Sequence, residues 1–238
     1  MKGKRTMPSN YKTGYYVDLV FCIDATGSMS NVINMVKNNA LNFYQDIMKA
    51  MEKKAKEISQ LRISIIAFRD YKYDGENALL QTDFFTLPDD TELFKRCVTG
   101  IEASGGGDDP EDGLEALAFA IRSPWDQTEG VKHRQVIVVW TDAPTHELGF
   151  GSSAENYPTG MPRDFGELSV WWGDRECSPY VDFKSKRLII YAPDQAYWNT
   201  ISDNWDNVLH YTSVAGKGME EYEYDQIIDT ITSTIAMQ

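Results

Sequence analysis

Three short runs, far apart in the chain, carry residues whose types and spacing suit a hard divalent cation. The first is Asp24-Ala25-Thr26-Gly27-Ser28, directly after an apolar stretch. A carboxylate and two hydroxyls at alternate positions, in a turn that Gly27 lets bend, present three oxygens to one point. The second is Thr141-Asp142-Ala143, again at the end of an apolar run. Between them lies Ser104-Gly105-Gly106-Gly107-Asp108-Asp109-Pro110-Glu111-Asp112, an acidic glycine loop that opens a helix. Mg²⁺ takes oxygen ligands in a near-octahedral array and keeps several waters. It is the expected ion, with Mn²⁺ and Ca²⁺ as alternatives. An aspartate at a strand end followed by Thr or Ser can also simply cap a helix. Three such loops in one chain favour the cation.

The elements around these runs must bring them together. Residues 16–23 form an apolar run broken only by Asp18, the pattern of a strand buried on both faces. Val32, Val36, Ala40, Phe43, Ile47 and Met51 recur at helical steps and predict one long helix from about residue 31. Strands are expected at 62–68, 79–86, 136–141, 188–192 and 208–211. Helices are expected from 90 to 101, from Pro110 onward, at 164–172 and at 220–235. Alternating strands and helices predict an α/β fold: a doubly wound, mainly parallel central sheet flanked by helices. Ligands of such sheets bind outside the carboxyl ends of the strands. Residues 1–14, polar with Pro8 and Gly14, read as a loose arm before one domain over 15–238.

The DxTGS run at 24–28, the TDA at 141–143 and the GGGDxPE run at 105–111 resemble the metal-ion-dependent adhesion site of von Willebrand factor A domains, most closely the hemicentin-like branch. The likeness covers about residues 15–235. It implies that Thr26 and Ser28 ligate the ion through their hydroxyls, and that Asp24 and Asp142 act directly or through water. Many members of that family carry a threonine in the middle loop. Here Asp108 or Asp109 stands there, and Asp108, next to the glycines, is the preferred ligand. The family also has about one helix and two short loops where this chain has some 45 residues after Asp142, so 144–183 reads as an insertion. Trp171 and Trp172 within it suit either the core or a partner surface.

Other titratable residues have plainer readings. Glu111 and Asp112 fit a first helical turn, where the dipole favours acids. Asp70, after the second strand, reads as a solvated loop acid or a rim group, and His146 as an exposed loop histidine. The net charge of −13 excludes a phosphate-binding face for nucleic acid. The Lys53-Lys54-Ala55-Lys56 cluster suits a helix C-terminus. No apolar run approaches the roughly 18 residues of a membrane span. The basic start has no apolar stretch behind it, and three irregularly spaced cysteines, Cys22, Cys97 and Cys177, suggest a reducing cytoplasm. No P-loop or GxSxG elbow is present, and Thr26 stands where an aspartate-based phosphotransferase wants a second acid. A binding role toward a protein partner, without catalysis, is the expectation, ahead of a structural subunit or a Mg²⁺-dependent hydrolase.

If Asp108 is a ligand, Asp24, Asp108 and Asp142 set three negative charges against two positive. Asp108→Thr is then expected to weaken Mg²⁺ binding in calorimetry and to raise affinity for acetate or acidic peptides, with Asp109→Thr nearly silent. A loss confined to Asp109→Thr would shift the ligand by one position.

Overall fold

The computed structural model describes residues 14–107, 110–173 and 178–237. The chain runs through β1 (Tyr15–Asp24), α1 (Ser30–Asn39), α2 (Phe43–Lys53), β2 (Ile58–Phe68), β3 (Leu79–Gln81), β4 (Phe85–Leu87), α3 (Thr91–Gly100) and α4 (Gly113–Ile121). It continues with β5 (Lys132–Trp140), α5 (Phe165–Trp172), β6 (Lys186–Ala192), α6 (Trp198–Asn204), β7 (Val208–Thr212) and α7 (Tyr224–Ala236).

The sheet order is β3-β2-β1-β5-β6-β7, with β4 also pairing β2. β2, β1, β5, β6 and β7 are parallel, and β3 and β4 run against β2. The expected doubly wound, mainly parallel sheet is therefore present. The chain leaves β1 toward β2 on one side and returns to β5 on the other. The order reverses between β1 and β5, which makes their carboxyl ends the crevice of the sheet. Asp24 ends β1, and Asp142 lies two residues past the end of β5.

Two-residue periodicity divides the core. Leu19, Phe21 and Ile23 of β1 join Val136, Val138 and Trp140 of β5 beneath α1, α2, α3 and α7. Val20 and Cys22 join Ile137, Val139, Leu188 and Ile190 against α4, α5 and α6. Cys22 is a small buried hydrophobe, and burial pushes its thiol up. Trp171 and Trp172 belong to the second core cluster, which settles their two readings in favour of core. Asp18, the one acid in β1, is buried against Arg62, whose Nε and Nη2 donate to it at 2.7 and 2.6 Å.

Several boundaries differ from expectation. The long first helix is two, α1 and α2, separated by a turn at 40–42. The 79–86 strand is two three-residue strands flanking Thr82, whose hydroxyl accepts the Ile65 amide. α6 was not foreseen; its seven residues bury only Trp198 and Ile201, too few for a periodic signal.

Lys186 is the least expected core residue. Fully buried, its Nζ donates to the carbonyls of Trp172 and Gly173 at 2.7 and 2.6 Å, closing the C-terminus of α5. Lys186→Met keeps the stem but orphans both carbonyls, and is expected to cost roughly 2–4 kcal/mol in urea unfolding. A change under about 0.5 kcal/mol would show that water replaces the ammonium.

Candidate metal centre

The first cluster forms where β1, β5 and the loop after β7 meet. The Asp24 carboxylate is fully buried. Its Oδ1 accepts from the Thr26 amide at 2.9 Å and the Thr26 hydroxyl at 2.6 Å, and its Oδ2 from the Thr141 hydroxyl at 2.7 Å. Ser28, at the surface, donates its hydroxyl to Asp142 Oδ1 at 2.8 Å. The other oxygen, Asp142 Oδ2, accepts from Gly218 N at 2.7 Å. Gly218 has φ +60°, and a Cβ there would lie 2.5 Å from the Ser28 carbonyl, so this approach requires glycine. Both Thr26 and Ser28 thus aim their hydroxyl hydrogens at carboxylates and keep oxygen lone pairs for a cation.

Asp24, Thr26, Ser28 and Asp142 come together as the sequence suggested. Asp108, and Asp109 beside it, lie outside the described residues. The described part of the middle loop brings a different acid to the cluster. Glu111 is buried, its Oε1 lies near Thr26 across Gly106, and its Oε2 has no hydrogen-bond donor. Gly106 has φ +84°, and a Cβ on it would sit 2.9 Å from Glu111 Oε1 and 3.2 Å from the Thr26 side chain. The reading of Glu111 as a first-turn helix residue is corrected. α4 starts only at Gly113, because 111 forms a parallel bridge with Thr145: Glu111 N donates to the Pro144 carbonyl and His146 N to that of Glu111. Asp112 is likewise buried, in the N-cap position rather than on a solvated turn.

Arg69 holds these loops in place. Its guanidinium, nearly buried, donates to the carbonyls of Ala25, Ser104, Asn77 and Glu102 at 2.6 to 3.1 Å. Five donors in a rigid fork suit several carbonyls at once. Nothing in its surroundings along the sequence signals that role.

A second cluster lies at the end of β2. Asp70 is fully buried rather than solvated, and His146 is also buried rather than exposed. His146 Nε2 lies 3.0 Å from Asp70 Oδ2, and one ligand atom each of Asp70, Asp112 and His146 fall within 4.8 Å of one another. Glu115, in the first turn of α4, is buried beside Asp112 and accepts from Gly149 N and the Tyr157 hydroxyl. Residues 150–157 close over this end: Phe150 stacks on His146 at 3.7 Å, and Tyr157 packs edge-on to Tyr71. The spacing Asp70…Asp112…His146 gives no signal in the sequence, since three separate loops supply the residues.

Burial sets the electrostatics. Desolvation raises Asp24 to about 6, with Asp142 adding repulsion against the hydrogen bonds from Thr26 and Thr141. Desolvation, then Asp24, Asp70, Asp74 and Asp112, push Glu111 up to about 9. Desolvation and Glu115 bring Asp112 to about 7, and desolvation brings Glu115 to about 7.

The profile described as von Willebrand factor A domain matches residues 18–152. An α-protein kinase, vwkA, of Dictyostelium discoideum is 32% identical over 146 residues, covering 61% of this chain and 21% of that protein. A putative ariadne-like RING finger protein of Acanthamoeba polyphaga mimivirus is 30% identical over 132 residues, covering 55% of this chain and 11% of that protein. The chain thus spans well under two thirds of either relative. Among solved structures, the pilus adhesin SpaC from Lactobacillus rhamnosus GG matches 93% of this chain and 31% of its own with a TM-score of 0.53 at 12% identity, a likeness of fold.

The raised carboxylates fix the sign of the pH dependence. Each binds its proton more tightly folded than unfolded, so the folded state holds more protons between the ordinary carboxylate range and about 7 to 9. Stability of chelator-treated protein is therefore expected to fall as pH rises, with a higher Tm near about pH 5 than near about pH 8. Saturating divalent cation is expected to narrow the gap. A Tm that rises steadily with pH in chelator would contradict the burial of these acids.

Proposed function

Since the chain belongs to the von Willebrand factor A domain family, we propose that it is a divalent-metal-dependent interaction module that takes a protein partner at the carboxyl edge of its sheet. Thr26 and Ser28 would hold the ion through their hydroxyls, with Asp24 and Asp142 behind them. The observation that carries this reading is the buried Glu111 oxygen without a donor, on a carboxylate that feels Asp24 as its strongest charged neighbour. Two acids crowded in a dry site need positive charge between or beside them. Glu111 stands with Asp108 as a candidate for the middle-loop ligand, and the glycine run before them keeps the likeness to the hemicentin-like branch. Mg²⁺ suits the all-oxygen donor set, and Mn²⁺ or Ca²⁺ can replace it.

A second reading, an assembly or structural subunit whose ion serves stability, has one observation in its favour. Asp24, Thr26 and Asp142 are all buried, and Ser28 is the exposed hydroxyl among the proposed ligands. Hydrolysis finds less support, because the Thr26 and Ser28 hydroxyls are bonded to Asp24 and Asp142, the carboxylates this reading assigns to the ion. The reading places the protein in the cytoplasm and assigns it no nucleic acid or membrane partner. Among the described residues, no helix is long and apolar enough to cross a membrane.

Mg²⁺ at about a hundred times its Kd is expected to stabilise the protein by about 2.7 kcal/mol. Asp24→Ala should abolish the response, and Glu111→Gln should weaken it more than Asp108→Thr does. In pull-downs from native cells, chelator or Asp24→Ala should release the partner. A partner retained in chelator, with the thermal response intact, favours the structural reading. Absence of any response at millimolar Mg²⁺ or Mn²⁺ rejects both.

A further inference from the structure

The geometry points to a second, separate metal site at Asp70, Asp112 and His146, built for a divalent transition-metal ion with Zn²⁺ as the best fit. It does not rest on the function proposed above, since none of its donors belongs to the Asp24 cluster.

Three observations carry it. First, the donors already converge: one ligand atom from each of the three residues lies within 4.8 Å of the others. Zn–N and Zn–O bonds of roughly 2.0–2.2 Å put neighbouring ligands about 3.0–3.6 Å apart. His146 Nε2 and Asp70 Oδ2 stand at 3.0 Å, so only Asp112 has to close in by a small movement.

Second, the site holds an unmet acceptor. Asp112 is 1% exposed, its Oδ2 accepts from Tyr71 N at 2.7 Å, and its Oδ1 has no donor. Behind it Glu115, fully buried, has a donorless Oε2 as well. Arg69 is committed to four carbonyls, and Lys72 sets its Nζ 3.2 Å from the centre of the Phe150 ring. A buried carboxylate oxygen without a partner is costly unless an ion or a water meets it.

Third, the surroundings orient the donors as a metal site requires. Asp70 Oδ1 is fixed by Lys72 N at 2.6 Å and Asp112 Oδ2 by Tyr71 N, leaving Asp70 Oδ2 beside His146 and Asp112 Oδ1 without a donor. The His146 ring is clamped by Phe150. The backbone of His146 is tied to Glu111 by the bridge that delays α4. Ligands fixed by such outer contacts bind metals more tightly.

The donor set selects the ion. An imidazole nitrogen with two carboxylates favours Zn²⁺ over Mg²⁺ and Ca²⁺, which prefer oxygen throughout. Three protein ligands leave a fourth tetrahedral position for water or a partner's group.

Calorimetry of the full chain, stripped with chelator and then held in millimolar Mg²⁺, tests the site. One Zn²⁺ per chain is expected to bind. His146→Gln and Asp112→Asn should each weaken it at least about tenfold to a hundredfold, while Asp24→Ala still binds one Zn²⁺. X-ray absorption at the zinc edge should show one imidazole among oxygen ligands, which guards against variants that merely misfold. No Zn²⁺ binding in the wild type, a spectrum without imidazole, or Zn²⁺ lost in Asp24→Ala but kept in folded His146→Gln would overturn the site. Zn²⁺ binding without any Mg²⁺ response would sink the proposed function and leave this inference standing.

Discussion

Six carboxylates, those of Asp24, Asp70, Glu111, Asp112, Glu115 and Asp142, are buried at one end of a parallel sheet. Ionised and unscreened, they repel one another strongly in a medium far less polar than water. Most of the local architecture answers this constraint. The Thr26, Thr141 and Ser28 hydroxyls and the Gly218 and Tyr71 amides all donate to these acids. Hydrogen bonds to a carboxylate lower its pKa, yet Asp24 with three donors still stands raised. Neutral donors therefore do not suffice, and the remaining balance is left to protons or to cations.

The doubly wound topology explains why the acids meet there. In a parallel sheet every strand ends at the same edge, so the loops after β1, β2, β5 and β7 converge whatever their separation in sequence. The reversal of order between β1 and β5 opens the crevice into which Asp24 and Asp142 point from either side. Arg69 then fixes the loops by their carbonyls rather than by pairing with the acids. That division of labour keeps the carboxylates available: an arginine salt-bridged to Asp24 or Asp70 would have filled the site with a permanent side-chain cation.

What could be read from the sequence follows from how local each signal is. The strands around 16–23 and 136–141 announce themselves because burial on both faces makes them apolar throughout. Asp24, Thr26, Ser28 and Asp142 were visible because one turn or one strand end carries each. Glu111 was misplaced since its position depends on Thr145, some 34 residues on, which holds residue 111 in a bridge and keeps the helix from starting at Pro110. Asp70 and His146 looked like solvated loop groups for the same reason: the Phe150 and Tyr157 side chains that bury them arrive from a segment with no periodic pattern. Composition alone cannot tell a loop that hangs in solvent from one that folds back onto the sheet.

Glu111 links the two halves of this edge. Its carboxylate feels both Asp24 and Asp70, while its backbone carries the amide of His146. Positive charge gained at either end favours the ionised form of Glu111, and that added negative charge in turn strengthens attraction for a cation at the other end. Two cations also repel each other, in the opposite sense. Which term wins depends on whether Glu111 is protonated when the first ion arrives. Desolvation, then Asp24 and Asp70, push its carboxyl up to about 9, which favours its protonated form. Were ions held at both the Asp24 and the Asp70 cluster, Glu111 would be a side chain on which both act.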